Sequence, residues 1–266
     1  HVRSRRQRQM CIRDRAQLQA SNRRAPACNN VAQDYCHSSS FGAQLALSAD
    51  GNTLAVSATG ETSNARGVNG DQANTDSLAA GAVYIFTRTG GKWSQQAYVK
   101  ASNTPARNNT WCNLSYWATL PCDGQNFGAS LALSADGNLL AVGATGDDSK
   151  STGVNGDAND TSAAFAGAVH TYVRTGSTWA PQAYLKASNT DAGDGFGTSV
   201  SLSADGSTLA VGAIFERSSA TGVGGNQSDN AQSPFGAVYV FSQDRGSWSQ
   251  QALSLIHISE PTRQAE

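Results

Sequence analysis

The chain has 266 residues, a formal net charge of −1 and 15% charged residues, with 27 glycines and only 6 prolines. This length and composition suit one large or two ordinary soluble domains. No run approaches the roughly 20 apolar residues that a membrane-spanning helix needs. We therefore expect no part of this sequence to insert into a bilayer.

The two ends of the chain differ from the rest. Residues 1–15 carry six Arg and one Asp, a basic run that at face value suits nucleic acid or a membrane surface. They resemble translated sequencing-adapter sequence at the ends of metagenomic proteins, and residues 253–266 resemble the companion artefact. We expect both to be artefactual tails of a fragment. The remaining 16–252 has 12 basic and 17 acidic residues, and its net charge of −5 argues against a nucleic-acid partner.

Between these tails the chain contains three copies of one unit. The copies begin near Phe41, Phe127 and Phe196, each followed by glycine. In every copy a Gly-Ala-Val follows 40 residues after the phenylalanine and a tryptophan follows 52 residues after it. These residues are Gly81, Gly167 and Gly236, and Trp93, Trp179 and Trp248. The constant spacing predicts one structural unit copied three times.

Each copy predicts four short strands. In the second copy, 129–136 alternates leucine with small residues, Asp136-Gly137 supplies a tight turn, and 139–144 runs back as a hairpin. A long polar loop precedes a third strand at Gly-Ala-Val, and the fourth strand starts at the tryptophan. Helical periodicity is missing throughout, so the pattern predicts an all-β fold.

The distribution of apolar residues indicates how these strands pack. In the third strand (82–86, AVYIF) both alternating sets are apolar, as in a strand covered on both sides. The second strand is rich in small residues and the fourth is polar, which suits an inner axis and an outer rim. The sequence therefore favours an incomplete β-propeller of about three four-stranded antiparallel blades. A β-sandwich or a solenoid is the alternative.

The segments 41–60, 127–146 and 196–213, with the three Gly-Ala-Val strands, resemble the FG-GAP repeats of bacterial surface or secreted proteins, which are related to the propeller of integrin α-subunits. The resemblance covers nearly all of 16–252. It implies a propeller, often of seven blades, that acts in adhesion or recognition outside the cytoplasm. In calcium-binding members of that family, the loop between the first two strands resembles Asp-x-Asp-x-Asp-Gly. In this chain the same connection is shortened to Ser-Ala-Asp-Gly. One carboxylate cannot supply the roughly six to eight oxygens around Ca²⁺, so we expect no tight calcium site and no cofactor.

The loops between the second and third strands contain the candidate ligand-binding residues. These are Asn69, Asp71 and Asp76 in the first copy, with Asn74 beside them, and Asn155, Asp157 and Asp160 in the second. Such side chains could ligate a cation or hydrogen-bond a sugar. Glycine, asparagine and aspartate are also ordinary constituents of long exposed loops. Because the third copy has Gly225-Asn226 where Gly70-Asp71 would be needed, the second interpretation is favoured.

Four cysteines lie in the two long joins that precede a Phe-Gly. Cys28 and Cys36 lie in one join and Cys112 and Cys122 in the other, while the short join 187–197 has none. Local disulfides that staple extended loops in an oxidising compartment would give this distribution. We expect Cys28–Cys36 and Cys112–Cys122 pairs. Free thiols or a metal site are the alternatives.

Candidate catalytic residues are scarce. Between the tails the only histidines are His37 and His170, and no Ser-His-Asp set or metal-ligand spacing accompanies them. His170 takes the place that Tyr84 and Tyr239 have in the other copies, as expected for a packing position. The sequence therefore predicts that the chain is not an enzyme.

The function expected from these observations is an extracellular or cell-surface module for binding, adhesion or scaffolding. Its ligand, a protein or a glycan, would lie on the propeller loops. The alternatives are a structural repeat spacer of a large surface protein and an accessory propeller of an enzyme whose catalytic part is missing. Three blades cannot close a ring. We therefore expect further blades of the same chain as partners, and self-association of the isolated fragment.

Overall fold

The computed structural model describes residues 16–22, 39–105, 124–218, 222–227, 230 and 236–255. Its strands form three antiparallel sheets, each built around four strands that are consecutive along the chain or nearly so. Within these ranges no helix is long and apolar enough to cross a membrane. The predicted all-β fold is confirmed, and it is consistent with an incomplete propeller of about three blades.

The three blades repeat one arrangement. The first consists of β1 (Phe41–Leu47), β2 (Thr53–Ala58), β3 (Ala82–Thr89) and β4 (Lys92–Val99). The second consists of β5 (Phe127–Leu133), β6 (Leu139–Ala144), β7 (Ala168–Thr175) and β8 (Thr178–Leu185). The third consists of β9 (Phe196–Leu202), β10 (Thr208–Ala213), β11 (Gly222–Val223), β12 (Ala237–Asp244) and β13 (Ser247–Leu255). The short β11 pairs with the outer edge of β13.

The hairpin between the first two strands of each blade is closed by side chains. In the first blade Ser48 Oγ donates to Asp50 at 2.6 Å, and the backbone N–H of Asn52 donates to Asp50 at 2.9 Å. These hydrogen bonds, that of Ser48 first, lower the pKa of Asp50 to about 2. Asp136 and Asp205 make the same contacts in the other blades. The carboxylates of the shortened turns therefore stabilise the turns themselves.

Glycine at the start of each Gly-Ala-Val strand allows neighbouring blades to approach closely. Gly81 forms a parallel bridge with Phe127, and Gly167 forms one with Phe196. Gly81 has φ +80°, and a Cβ built on it would lie 2.1 Å from the carbonyl oxygen of Phe127. Only glycine fits such a contact. The Phe-Gly of one copy therefore docks against the Gly-Ala-Val of the copy before it.

Each interface between blades also has the same tryptophan anchor. Trp179 of the second blade donates its Nε1–H to Gln96 of the first at 2.8 Å, and Trp248 of the third donates to Gln182 of the second at 3.0 Å. Both indole rings are buried. A buried tryptophan normally needs a partner for its N–H. The constant spacing of 52 residues thus places one anchor at each interface.

The first and third blades each have a face that no described blade covers. Leu47 of β1 is 57% exposed, whereas the equivalent Leu133 of β5 packs into the core between the first two blades. On the opposite side Val240 is only partly buried, whereas the equivalent Ile85 is fully buried. Residues 16–22 cover part of the first face. The described arc is therefore open at both ends.

Two predictions concern residues at or beyond the limits of the described ranges. Strand β13 continues to Leu255, and Leu253 pairs with Tyr239, so three residues of the expected C-terminal tail take strand positions. The boundary at residue 252 stays a prediction. The four cysteines of the expected disulfides, Cys28, Cys36, Cys112 and Cys122, lie outside the described residues, and so do 1–15 and 256–266.

Candidate functional site

The long loops join the second and third strands of each blade, over 59–81, 145–167 and 214–236. We call the surface that they form the loop face. Two of these loops are tied to the fourth strand of their blade by antiparallel bridges, Val68 with Val99 and Val154 with Leu185. The loops are therefore held against the sheet, which gives the loop face a defined shape.

Asn69 and Asn155 provide much of that attachment. Both have φ near +55°. Asn69 Oδ1 accepts a hydrogen bond from the backbone N–H of Tyr98 at 2.9 Å, and Asn155 Oδ1 accepts one from Tyr184 at 2.9 Å. The two amide oxygens that the sequence singled out are thus used inside the fold, although both side chains are exposed.

Asp71 and Asp157 lie at equivalent exposed positions just beyond those asparagines. One oxygen of Asp71 accepts from the backbone N–H of Ala73 at 2.8 Å, and one oxygen of Asp157 accepts from Asn159 at 2.9 Å. Such turns are the usual local role of aspartate in loops.

Asp160 and Asn74 also match each other. Asp160 accepts from the backbone N–H of Lys150 at 2.7 Å, and this contact is the first cause of its lowered pKa. Asn74 accepts from the backbone N–H of Asn64 at 2.8 Å, and Asp76 accepts from the Asn64 side chain at 3.3 Å. The six predicted residues therefore lie on two separate loops. In the described ranges no three His, Cys, Asp or Glu side chains are grouped to hold a metal ion.

Beneath the loop face each blade holds a buried polar cluster that the sequence interpretation missed. In the first polar cluster the Lys100 ammonium lies 2.8 Å from Glu61, and both side chains are buried. Asn22, from the segment before the first copy, donates to the other oxygen of Glu61 at 2.9 Å. Tyr84 donates its hydroxyl to Asn22. This cluster joins the first blade to the segment that precedes it.

The second polar cluster repeats this arrangement with two exchanges, of which the first is Asp147 in place of Glu61. Lys186 lies 3.1 Å from Asp147, and both side chains are fully buried. Asn103 of the preceding copy donates to Asp147 at 2.7 Å, and the Tyr184 hydroxyl donates to it at 2.7 Å. His170 stands where the first cluster has Tyr84.

The third polar cluster lacks the lysine. Asn189 donates to Glu216 at 2.9 Å, and Tyr239 donates to Asn189 at 2.7 Å. The sequence does contain a signal for these clusters. An acidic residue follows each Phe-Gly phenylalanine by 20 residues, and a lysine follows the first two by 59 residues.

His170 occupies a packing position, as expected. Its ring contacts Phe127 and Tyr184 at centroid distances of 5.5 and 5.2 Å. Burial is the main cause of its pKa, lowered to about 4. Because imidazole is shorter than phenol, it does not reproduce the bond of Tyr84. His170 Nε2 and Asn103 Oδ1 are both buried and have no hydrogen-bond partner among the described residues.

An open polar cleft of about 570 Å³ lies on the loop face between the second and third blades. The described residues that line it are Lys150, Thr152, Ser188, Asn189, Thr190, Asp191, Gly225, Asn226, Gln227 and Asn230. None of the six predicted loop residues is in this set, but Asp160 holds the backbone of Lys150. The lining of the cleft comes from two copies of the repeat, so the sequence of any single loop does not reveal the cleft.

Comparison with known proteins supports the repeat assignment. Residues 179–241 match the FG-GAP repeat family, which confirms the resemblance. No curated protein matches the chain. Among solved structures it is similar to Saccharomyces cerevisiae Sqt1, with 7% identity, a TM-score of 0.39, and coverage of 82% of this chain and 36% of that one. A putative 6-phosphogluconolactonase from Bacteroides uniformis gives 15% identity, a TM-score of 0.32, and coverage of 80% and 57%. The periplasmic gluconolactonase PpgL of Pseudomonas aeruginosa gives 13% identity and a TM-score of 0.30, with coverage of 82% of this chain and 58% of that one. The chain thus spans less than two thirds of each of these structures.

The prediction that the chain is not an enzyme is contradicted by two of these comparisons. Two of the similar structures carry enzyme names, a putative 6-phosphogluconolactonase and a periplasmic gluconolactonase. A scarcity of histidines does not exclude catalysis, because aspartate, glutamate, lysine and tyrosine side chains also act as general acids and bases. At 15% and 13% identity the similarities assign no reaction to this chain. The exclusion of enzymatic activity is therefore withdrawn.

Proposed function

We propose that the chain is part of a binding module that acts outside the cytoplasm and holds its ligand on the loop face. FG-GAP repeats are typical of binding and adhesion modules of extracellular or surface proteins, and residues 179–241 match them. The observation that carries the proposal is the polar cleft between the second and third blades. Clefts where two structural units meet are common places for ligands.

The chemistry of the cleft favours a neutral, hydroxyl-rich ligand, which means a glycan. Its lining is dominated by amide and hydroxyl side chains, which both donate and accept hydrogen bonds. The charged residues in the described lining are Lys150 and Asp191, whose charges balance. No aromatic side chain belongs to that lining, so affinity would rest on hydrogen bonds alone. We expect weak binding at a single site, strengthened when several modules act together.

The six loop residues predicted from the sequence have a place in this proposal. The exposed carboxylates of Asp71, Asp76 and Asp157 lie on the loop face outside the cleft. We propose that these residues, with Asn69, Asn155 and Asp160, contact the parts of a longer ligand that extend beyond the cleft.

A printed oligosaccharide array probed with the fluorescently labelled chain tests the proposal. The cleft variant Lys150→Ala/Thr152→Ala removes two exposed lining side chains. Its matched control, Lys92→Ala/Thr178→Ala, removes the same residue types from exposed positions at the starts of β4 and β8. We expect at least a tenfold loss of signal in the cleft variant and none in the control, with equal melting temperatures.

Equal glycan binding by the two variants would place the site elsewhere. Array signals at background for every glycan would overturn the glycan assignment. If printed secreted proteins then bind and the cleft variant loses that binding, the ligand is a protein at the same site. If neither class binds, the spacer function is favoured.

A further inference from the structure

The third polar cluster contains a buried carboxylate that forms no ion pair with any described residue. Glu216 is 1% exposed. One of its oxygens accepts the hydrogen bond from Asn189 at 2.9 Å. The other oxygen, Oε2, is buried and has no hydrogen-bond partner among the described residues. An ionised carboxylate is costly to bury unless it is paired and fully hydrogen-bonded.

The equivalent carboxylates of the other two blades show what such a position accepts. Glu61 and Asp147 follow their Phe-Gly phenylalanines by 20 residues, as Glu216 does. Each pairs with a fully buried lysine, Lys100 at 2.8 Å and Lys186 at 3.1 Å. The site beside the carboxylate is therefore occupied by a primary ammonium group in both the first and the second blade.

The ammonium group in the second blade has a second acceptor. Lys186 Nζ also donates to the carbonyl oxygen of Gly167 at 2.6 Å. The residue at that position in the third blade is Gly236. A primary ammonium group has three donors and can serve both a carboxylate and a carbonyl.

The register of the fourth strand identifies the residue that would carry this group. Lys100 and Lys186 lie 59 residues after their phenylalanines, directly after β4 and β8. The residue 59 positions after Phe196 is Leu255, whose backbone pairs with Ala237 at the end of β13. A leucine brings no positive charge to this position.

The charged groups near Glu216 do not replace the lysine. Burial raises the pKa of Glu216 above its usual range. Hydrogen bonds from the Ser218 backbone and the Asn189 side chain oppose this rise, and the charge of Asp191 adds to it. Burial also raises the pKa of the neighbouring Asp194 to about 7, to which the charge of Glu216 contributes. Arg217 opposes that rise at Asp194 but is itself exposed. The surroundings of Glu216 in the described residues are thus mainly acidic.

We infer that the Glu216 carboxylate is an ammonium-binding site of the third blade, built for a lysine side chain at position 255. A lysine there would donate to Oε2 as Lys100 and Lys186 donate in their clusters. The inference does not depend on the proposed glycan function.

Leu255→Lys tests the site directly, with Leu255→Met as the matched uncharged control of similar length. Both are made in the full chain and in the Glu216→Gln background, and thermal unfolding is followed at pH 8. We expect the lysine to raise the melting temperature by about 3–6 °C over methionine. The gain should disappear in the Glu216→Gln background. A lysine no better than methionine, or a gain that survives without Glu216, overturns the inference.

A second comparison leaves position 255 unchanged and covers the case in which the lysine variant does not fold. At pH 8, Glu216→Gln should raise the melting temperature because it removes an unpaired charge. Glu61→Gln should lower it because it leaves Lys100 buried without its partner. Since the folded-state pKa of Glu216 is raised, its cost grows as pH rises through that pKa. The benefit of Glu216→Gln should therefore be larger at pH 8 than at pH 4. A decrease at pH 8 like that of Glu61→Gln would contradict the inference.

Discussion

The second and third blades share four strands in the same register but compensate their buried carboxylates differently. Asp147 has a buried lysine 3.1 Å away, whereas Glu216 has a buried oxygen without a partner among the described residues. The sheet forms in both cases because its strands depend on backbone pairing and apolar packing. The strand pattern of this repeat is therefore separable from its buried polar cluster.

The first and second blades differ at another position of the same cluster. Tyr84 donates to Asn22, whereas His170 leaves Asn103 Oδ1 without a partner in the described part of the chain. The second and third blades thus depart from the arrangement of the first at different residues, which makes the copies internal controls for one another.

The largest effect is expected when the complete ion pair of the second blade is broken. Lys186→Met leaves Asp147 buried and unpaired, which should lower the free energy of unfolding by roughly 3–5 kcal/mol. Denaturant unfolding at pH 7 measures the change. Lys92→Met, at an exposed strand position, should stay within about 0.5 kcal/mol. The double variant Lys186→Met/Asp147→Asn should recover part of the lost stability, because it also removes the unpaired charge of Asp147. A loss under about 1 kcal/mol would mean that the pair contributes little beyond its desolvation.

A smaller effect, of opposite sign, is expected from His170→Tyr, which gives the second blade the residue of the other two. The equivalent positions of the other two blades hold fully buried tyrosines, Tyr84 and Tyr239, so the fold accommodates the larger ring. The new hydroxyl can donate to Asn103 and should add about 1–2 kcal/mol at pH 7. His170→Phe is the matched control, because it has the ring without the hydroxyl. A tyrosine variant no more stable than the phenylalanine variant would remove the proposed hydrogen bond.

The same variants test the pH dependence of His170. Its folded-state pKa is about 4 and its reference value is 6.5, so the unfolded chain binds the proton first as pH falls. The natural chain should therefore lose stability between pH 6.5 and 4, by up to about 3 kcal/mol. Both ring variants should lack this loss. An unchanged pH profile in His170→Phe would assign the acid sensitivity to other groups.

The smallest effect on stability is expected at the open face of the first blade. Leu47→Asp places a charge where the side chain is 57% exposed, so the free energy of unfolding should change by no more than about 0.5 kcal/mol. Self-association, measured by light scattering after size-exclusion chromatography, should decrease because an apolar patch is interrupted. Leu133→Asp, at the same position of the second blade, lies in the core between blades and should be clearly destabilising. Equal destabilisation by both would show that the first face is covered in solution.

The sequence predicted the elements that depend on local pattern. The turn at Asp136-Gly137 and the glycine-led third strands follow from residue type, because tight turns and close backbone contacts accept few residues. Three copies in phase made the blade count and the position of each tryptophan visible without coordinates. The loop asparagines were also noticed, but their use inside the fold was not foreseen.

Only the tertiary structure decided the polar clusters and the cleft. Glu61 and Lys100 are 39 residues apart and meet because a long loop and the end of the fourth strand converge beneath the loop face. The cleft, likewise, takes its lining from two consecutive copies. Periodicity reports which side of a strand is apolar but carries no information about which distant polar groups meet. A buried charge and its partner become recognisable only when packing brings them together, since burial is what makes their pairing matter.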